Sequence, residues 1–190
     1  LSPMLESDAI AERIMEIIPF GEWREEHLVI TGGEPLLPGY QSFWKQVFDK
    51  IDTEWPDYIN VTFETNGTYP LVVDFDFEFI RTYFSVSPKL KNSGQSYFET
   101  IKPGAVQTYF RTEILSWFKF VVNSESNIEE IKKVLDMYDI MIPDVYLMPE
   151  GGTKTEIEKH DRIVYNLCSK YGFKYSPRLQ VTIMNNGIGI

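Results

Sequence analysis

The chain has 190 residues with 28 Asp and Glu against 18 Lys and Arg, a net charge of -10, which excludes a protein whose main task is to neutralise nucleic-acid phosphates. Hydrophobic residues make up 43%, aromatics 15% and charged residues 24%; this is a globular composition, of a length suited to a single domain over residues 1–190, and no run approaches the roughly 18 apolar residues a membrane span needs. The single cysteine, Cys168, excludes an internal disulfide and any zinc or iron–sulfur site drawn from this chain's thiols alone.

The chain opens Leu1-Ser2-Pro3 with no initiator Met, so residues are expected to have been removed upstream. No basic stretch leads into an apolar core with a cleavage site, so a signal peptide is not expected and the cytoplasm is the expected location. From Ser7 the pattern reads as a capped amphipathic helix with Ile10, Ile14, Ile17 and Ile18 on one face, ended by Pro19 to Gly21. The run His27-Leu28-Val29-Ile30 predicts a strand that feeds the glycine turn Thr31-Gly32-Gly33-Glu34-Pro35, and helix resumes from about Gly39 to Ile51. A second strand, Ile59 to Phe63, runs into Glu64-Thr65-Asn66-Gly67-Thr68. Thr82 to Val86 is a third, ending at Ser87-Pro88-Lys89. Trp117 to Val122 is a fourth, followed by a helix over Asn127 to Tyr138. A fifth strand, Asp144 to Met148, leads into Pro149-Glu150-Gly151-Gly152, then a helix over Lys154 to Tyr171 and a last strand over Lys174 to Ile183. Strands separated by helices indicate βα units and the α/β class. Residues 91–113 carry Gly, Pro, Gln and Thr with weak periodicity and read as an insertion or lid.

Ligands of a parallel sheet gather at the carboxyl ends of its strands. Four polar clusters fall there: Thr31 to Glu34, Glu64 to Thr68, Ser87 to Lys89, and Met148 to Gly151. The coincidence favours one shared pocket. Paired glycines let a backbone approach a ligand closely, and Glu34 beside them could receive an ammonium group. A bare Gly-Gly before Pro35 is more often only a tight turn, and Asn66-Gly67 is a common turn dipeptide. Glu64 adds a carboxylate whose desolvation at a buried strand end calls for partners or a ligand. Ser87-Pro88-Lys89 offers a hydroxyl and a cation that suit a carboxylate or ribose, or else forms an ordinary surface turn. His27 and His160 stand in unrelated contexts, and neither reads as a metal ligand. Cys168 lies among Ile163, Val164 and Leu167 and reads as packing. The aromatic stretch Phe75 to Phe84 reads as core and interface.

Taken in order, Val-Ile-Thr-Gly-Gly-Glu-Pro-Leu (29–36), Phe-Glu-Thr-Asn-Gly-Thr (63–68), Ser-Val-Ser-Pro-Lys-Leu (85–90), Leu-Met-Pro-Glu-Gly (147–151) and Tyr-Ser-Pro-Arg-Leu-Gln (175–180) closely resemble the 7-carboxy-7-deazaguanine synthases, a family of radical S-adenosylmethionine enzymes. Gly-Gly-Glu-Pro alone would indicate only the superfamily; the other segments narrow the resemblance, which runs from about Val29 to Gln180. It implies an incomplete βα barrel with a mainly parallel sheet. The reaction it implies is that of a carbon–nitrogen lyase. A 4Fe-4S cluster cleaves S-adenosylmethionine, and 6-carboxytetrahydropterin undergoes radical ring contraction with loss of ammonia to 7-carboxy-7-deazaguanine, on the route to queuosine-type nucleosides. Magnesium, a flavodoxin-type reductant and a homodimer belong to the same implication, with no direct contact to nucleic acid or membrane.

Carried over by motif position, Gly32, Gly33, Glu34, Ser87, Lys89, Leu147, Met148 and Glu150 resemble the family's cofactor-binding positions, with Glu34 at the methionyl amino group and Leu147 to Glu150 toward the adenine. Thr31, Glu64, Asn66, Arg178 and Gln180 resemble substrate-side positions, the last two on the closing strand. The departure is the cluster motif. The family holds its cluster through three cysteines upstream of the first helix and its magnesium just after them, and neither set is present in these residues. The expectation is an N-terminally truncated synthase, inactive as it stands, with no metal ligand of its own. Two rivals share part of the pattern: a glycyl-radical activating enzyme, against which Ser-Pro-Lys and Ser-Pro-Arg-Leu argue, and a non-catalytic S-adenosylmethionine-binding module.

Overall fold

The computed structural model describes residues 6–17, 25–55, 58–110, 115–141 and 144–185, without the side chains of 97, 98 and 110. The expected helix end at Pro19 to Gly21, and Ile18 with it, lie outside these residues. In chain order the elements are α1 (Ser7–Glu16), β1 (His27–Ile30), α2 (Pro38–Glu54), β2 (Ile59–Thr65), β3 (Ile80–Val86), the short α3 (Tyr97–Thr100) and α4 (Pro103–Val106), β4 (Leu115–Val122), α5 (Ser126–Tyr138), β5 (Val145–Pro149), α6 (Lys154–Tyr171), β6 (Lys174–Tyr175) and α7 (Leu179–Met184). Among the described residues the strands form one sheet in the order β1-β2-β3-β4-β5-β6, every pair parallel. Neighbours in sequence are neighbours in space, which is the winding of a βα barrel and not of a doubly wound sheet. The sheet is not closed, and β1 and β6 are its edges. The fold is therefore α/β, as the alternation of strands and helices indicates, with the partial barrel that the resemblance implies.

The register explains how one face became core. Ile30 stands opposite Phe63, Phe63 opposite Phe84, and Phe118 opposite Val145. Because parallel partners point the same way and side chains alternate along each strand, Val61, Phe63, Phe84, Val86, Phe118, Phe120, Val145 and Leu147 share one face, and all are fully buried. Phe63 stacks on Phe84 at 5.5 Å and meets Phe48 of α2 edge-on at 6.1 Å. Phe75 lies 5.1 Å from Phe63, so part of the aromatic stretch before β3 is core. Helix α1 buries Ala11 and Ile14 but leaves Ile17 half exposed, and Lys50 of α2 reaches its Asp8 and Glu12. No described helix is long and apolar enough to cross a membrane.

The end of the chain departs from expectation. Instead of a strand over Lys174 to Ile183, β6 stops at Tyr175 and α7 follows. Ser176 N–H still donates to the Leu147 carbonyl at 2.9 Å, but Pro177 has no N–H to continue the ladder. The Arg178 carbonyl then accepts from the N–H groups of Val181 and Thr182, and the Asn185 side chain accepts from Lys154 N at the start of α6. Of the alternating apolar residues Leu179, Val181 and Ile183, only Val181 is buried. Residues 91–110 are four short helical turns, and Ile101, Ala105, Val106 and Tyr109 pack into the interior.

Candidate functional site

The second face of the sheet carries the alternate residues, and at the carboxyl ends of its strands it hollows into a cleft of about 280 Å³ lined by Thr31, Gly33, Glu64, Thr65, Asn66, Ser85, Ser87, Lys89, Lys119, Val121, Met148 and Arg178. Eight of these are positions the sequence singled out. The fold brings them together from the ends of five strands and the turn before α7. Gly32 and Gly33 have φ of +94° and +57°, the left-handed region that glycine enters without strain. No atom lies within 4 Å of where a Cβ would stand on either, so the turn leaves an open side for a ligand.

Glu34 is not among the lining residues, and its carboxylate is engaged from within. It accepts from Leu36 N at 3.1 Å, Thr65 Oγ1 at 2.7 Å and Asn66 N at 2.9 Å. In this structure it ties the glycine turn to the end of β2. Asn66 closes the next turn by accepting from Thr68 N and Thr68 Oγ1. There Gly67, at φ +74°, lies so close to Val86 that a Cβ would fall 2.8 Å from its Cγ1.

A second cleft of about 330 Å³ adjoins the first and shares Lys89 and Val121 with it; Pro88, Leu90, Asn92, Ser93, Gln95 and Glu150 complete its lining. Glu150 accepts from the side-chain amides of Asn92 at 2.8 Å and Asn123 at 2.9 Å. Its carbonyl meets His160 Nδ1 at 2.7 Å, which pins the loop to α6. Leu147 faces the core, and Gln180, on α7, lines neither cleft.

The electrostatics invert those of the chain as a whole. Lys89, Lys119 and Arg178 line the first cleft against one lining carboxylate, Glu64. Lys119 Nζ donates to Glu64 Oε1 at 2.8 Å, and Thr31 Oγ1 donates to Glu64 Oε2 at 3.1 Å. Burial pushes the Glu64 pKa up, but the Lys119 ammonium, the Thr31 hydroxyl and the more distant Lys89 outweigh it, and the net direction is down. For Lys89, burial and the repulsion of Lys119 and Arg178 hold the pKa below its usual value in spite of Glu34 and Glu64. Arg178 donates from Nη1 to the Gly151 carbonyl at 2.9 Å, while its Nε is buried without a hydrogen-bond partner. A buried donor without an acceptor is costly, and Lys89, a cation held in the cleft against burial and like charge, calls for an anion. A ligand carboxylate meets both demands. The amino-acid end of S-adenosylmethionine therefore fits these residues.

An iron–sulfur cluster does not, because the chain has one thiol, Cys168. No group of three or more His, Cys, Asp or Glu with metal-holding geometry occurs among the described residues. Cys168 is buried on α6 and donates to the Lys174 carbonyl at 3.4 Å, and burial pushes its thiol pKa up.

Sequence reading missed Lys119, Ser85 and Val121 in the first cleft and the Asn92–Glu150–Asn123 contact beside the second, and gave Thr65 no role of its own within the cluster Glu64 to Thr68. For Lys119 a signal existed: it alternates with Phe118 and Phe120, so a cation had to stand on the face opposite the core.

Comparison with curated proteins finds relatives that are all named 7-carboxy-7-deazaguanine synthase. The chain is 28% identical over 163 residues to that of Pyrobaculum aerophilum, covering 86% of this chain and 67% of the relative. Against that of Halobacterium salinarum it is 30% identical over 185 residues, covering 85% and 66%, and against that of Hyperthermus butylicus 31% identical over 163 residues, covering 82% and 64%. The chain thus spans about two thirds of the length of these relatives. No protein-family model matches it, and no solved structure does. With a partial βα barrel, a glycine turn at the end of β1 and relatives of one name over more than four fifths of its length, the chain is a homologue of the 7-carboxy-7-deazaguanine synthases.

Proposed function

We propose that this chain is the cofactor- and substrate-holding part of a 7-carboxy-7-deazaguanine synthase, a carbon–nitrogen lyase that converts 6-carboxytetrahydropterin to 7-carboxy-7-deazaguanine with release of ammonia. The observation that carries the reading is the cleft itself, where an open glycine turn and the cations Lys89 and Arg178 stand at the carboxyl ends of parallel strands. In this reading Gly33 gives backbone access to the methionyl end of S-adenosylmethionine. Lys89 and Arg178 take its carboxylate, and the neighbouring cleft with Glu150, beside Met148 of the first cleft, holds the adenosyl end. Thr31 and Glu64 face the pterin. The cofactor supplies the radical chemistry when bound to its cluster. The chain's own share is binding, orientation and exclusion of water. Its one thiol cannot hold a cluster that wants three or four, so no step through that group is assigned to these residues. A cytoplasmic location and service to queuosine-type biosynthesis belong to the same proposal.

Two measurements test this. The protein as its gene encodes it, reduced and supplied with S-adenosylmethionine and magnesium, is expected to form 7-carboxy-7-deazaguanine from 6-carboxytetrahydropterin, read by mass spectrometry; no product would overturn the assignment. The 190-residue chain, treated anaerobically with iron and sulfide, is expected to show no 4Fe-4S absorption, and a stable chromophore on it would overturn the division of labour.

A further inference from the structure

We propose that Lys119 is a positioning residue for Glu64, holding its carboxylate ionised and aimed across the floor of the cleft so that its remaining lone pairs accept the paired N–H donors of a neutral aminopyrimidinone ring. The substrate class rests on the reading of the cleft given above; the positioning rests on geometry.

Glu64 is on β2 and Lys119 on β4, with β3 between them. Strands lie about 4.8 Å apart, so the two side chains reach across roughly 9.6 Å and also along the strands, because Ser85, opposite Glu64, pairs with Trp117 and Lys119 lies two residues further on. The sheet needs no such pair, because β2, β3 and β4 are already joined by their own ladders. Partly buried ion pairs are in any case weak sources of stability. Lys119 is 18% exposed in its side chain and Glu64 40%, so the cation is sunk into the floor while the carboxylate looks into the cleft.

A carboxylate has about four lone-pair sites. Lys119 occupies one on Oε1 and Thr31 one on Oε2, which fixes the plane of the group and leaves one site on each oxygen. Two parallel acceptors of that kind match the adjacent N–H donors of an aminopyrimidinone, as a carboxylate matches a guanidinium. The match needs the ionised form, since a protonated oxygen would present a donor to a donor.

The sign of the pH effect follows. Burial alone raises the Glu64 pKa, and Lys119 contributes the largest opposing influence. Replacing Lys119 with Met leaves the burial and removes the compensation, so Glu64 should titrate at higher pH in the variant. Carbon-13 NMR of labelled Glu carboxyls, with Glu64→Gln for assignment, reads this without any ligand. Binding of pterin-6-carboxylate, followed by its fluorescence, reads the consequence. Relative to wild type, Lys119→Met should bind about tenfold more weakly near pH 5 and less so near pH 7, while Lys119→Arg keeps affinity within about threefold. An unchanged Glu64 midpoint in Lys119→Met overturns the proposal. So does a shifted midpoint with wild-type affinity and pH profile. If the wild-type chain does not bind the pterin although the midpoint shifts, the substrate reading falls and takes the ligand half of the proposal with it; the NMR result tells that failure from the first.

Discussion

At the amino ends of the strands, the open face of the sheet is satisfied by its own residues. His27 Nδ1 and Thr62 Oγ1 share a hydrogen bond of 2.7 Å, Tyr83 OH donates to Asn60 Oδ1 at 3.3 Å, and the Tyr83 ring lies 4.7 Å from His27 and 6.1 Å from Trp117. At the carboxyl ends, on the same strands and the same face, three cations crowd one lining carboxylate and the Arg178 Nε has no acceptor. Alternation and register are common to both ends. What differs is whether the polar groups complete one another. Polar residues on an open sheet face do not by themselves mark a site; groups left wanting a partner do, because a chain selected for stability alone would not keep them.

The largest effect expected from this contrast is at the satisfied end. Tyr83→Ala removes a ring wedged between His27 and Trp117 along with its hydroxyl bond, and should cost about 2–4 kcal/mol in urea unfolding. Ligand binding by the molecules that remain folded should be unchanged. Loss of affinity with intact stability would place function at the wrong end of the sheet.

A smaller effect distinguishes two kinds of carboxylate at the other end. Glu34→Gln leaves the N–H of Asn66 facing an amide N–H in place of an oxygen, and weakens the bonds from Leu36 and Thr65. Hydrogen bonds to a charged group contribute about 1.5–3 kcal/mol each, and a loss near 1–3 kcal/mol is expected in the same unfolding assay. Glu64→Gln, whose partners Lys119 and Thr31 face the cleft, should cost much less. Equal costs would mean that Glu64 too is a structural tie.

The difference between those two glutamates also marks how far sequence could reach. Strand, turn and helix were readable wherever a β-branched or apolar run ended in Gly, Pro or Asn, and because those endings are the carboxyl ends of parallel strands, seven of the cleft residues were readable with them; Arg178 came only from the family resemblance. Glu34 and Glu64 both follow a strand and look alike in sequence, but only the fold shows that one carboxylate turns inward to three donors and the other turns to the cleft. Lys119 escaped because no turn or motif flags a cation inside a strand, although the alternation Phe118-Lys119-Phe120 states which face it takes. The last element failed for a different reason. Pro177 ends a strand that pattern alone would continue, and in six residues apolar alternation cannot tell a strand from a short helix.

The smallest change in stability should accompany one of the clearest changes in binding. Lys89 is a cation whose folded pKa lies below its unfolded value, first because of burial and then because of Lys119 and Arg178. A group with a depressed pKa stabilises the fold above its unfolded pKa and loses that contribution as pH falls through the folded value, so near neutrality the charged Lys89 is a burden on the empty cleft. Lys89→Met should therefore leave the unfolding free energy unchanged or raise it, while weakening the binding of S-adenosylmethionine to the chain in isothermal titration, because the ligand carboxylate loses its partner. An anion in the cleft would reverse the balance for the wild type by raising the Lys89 pKa, so ligand binding at alkaline pH should be accompanied by more proton uptake in the wild type than in the variant. A Lys89→Met chain that unfolds more easily by more than about 1 kcal/mol would show that this ammonium serves an internal ion pair, and the carboxyl ends of the strands would then be as self-satisfied as the amino ends.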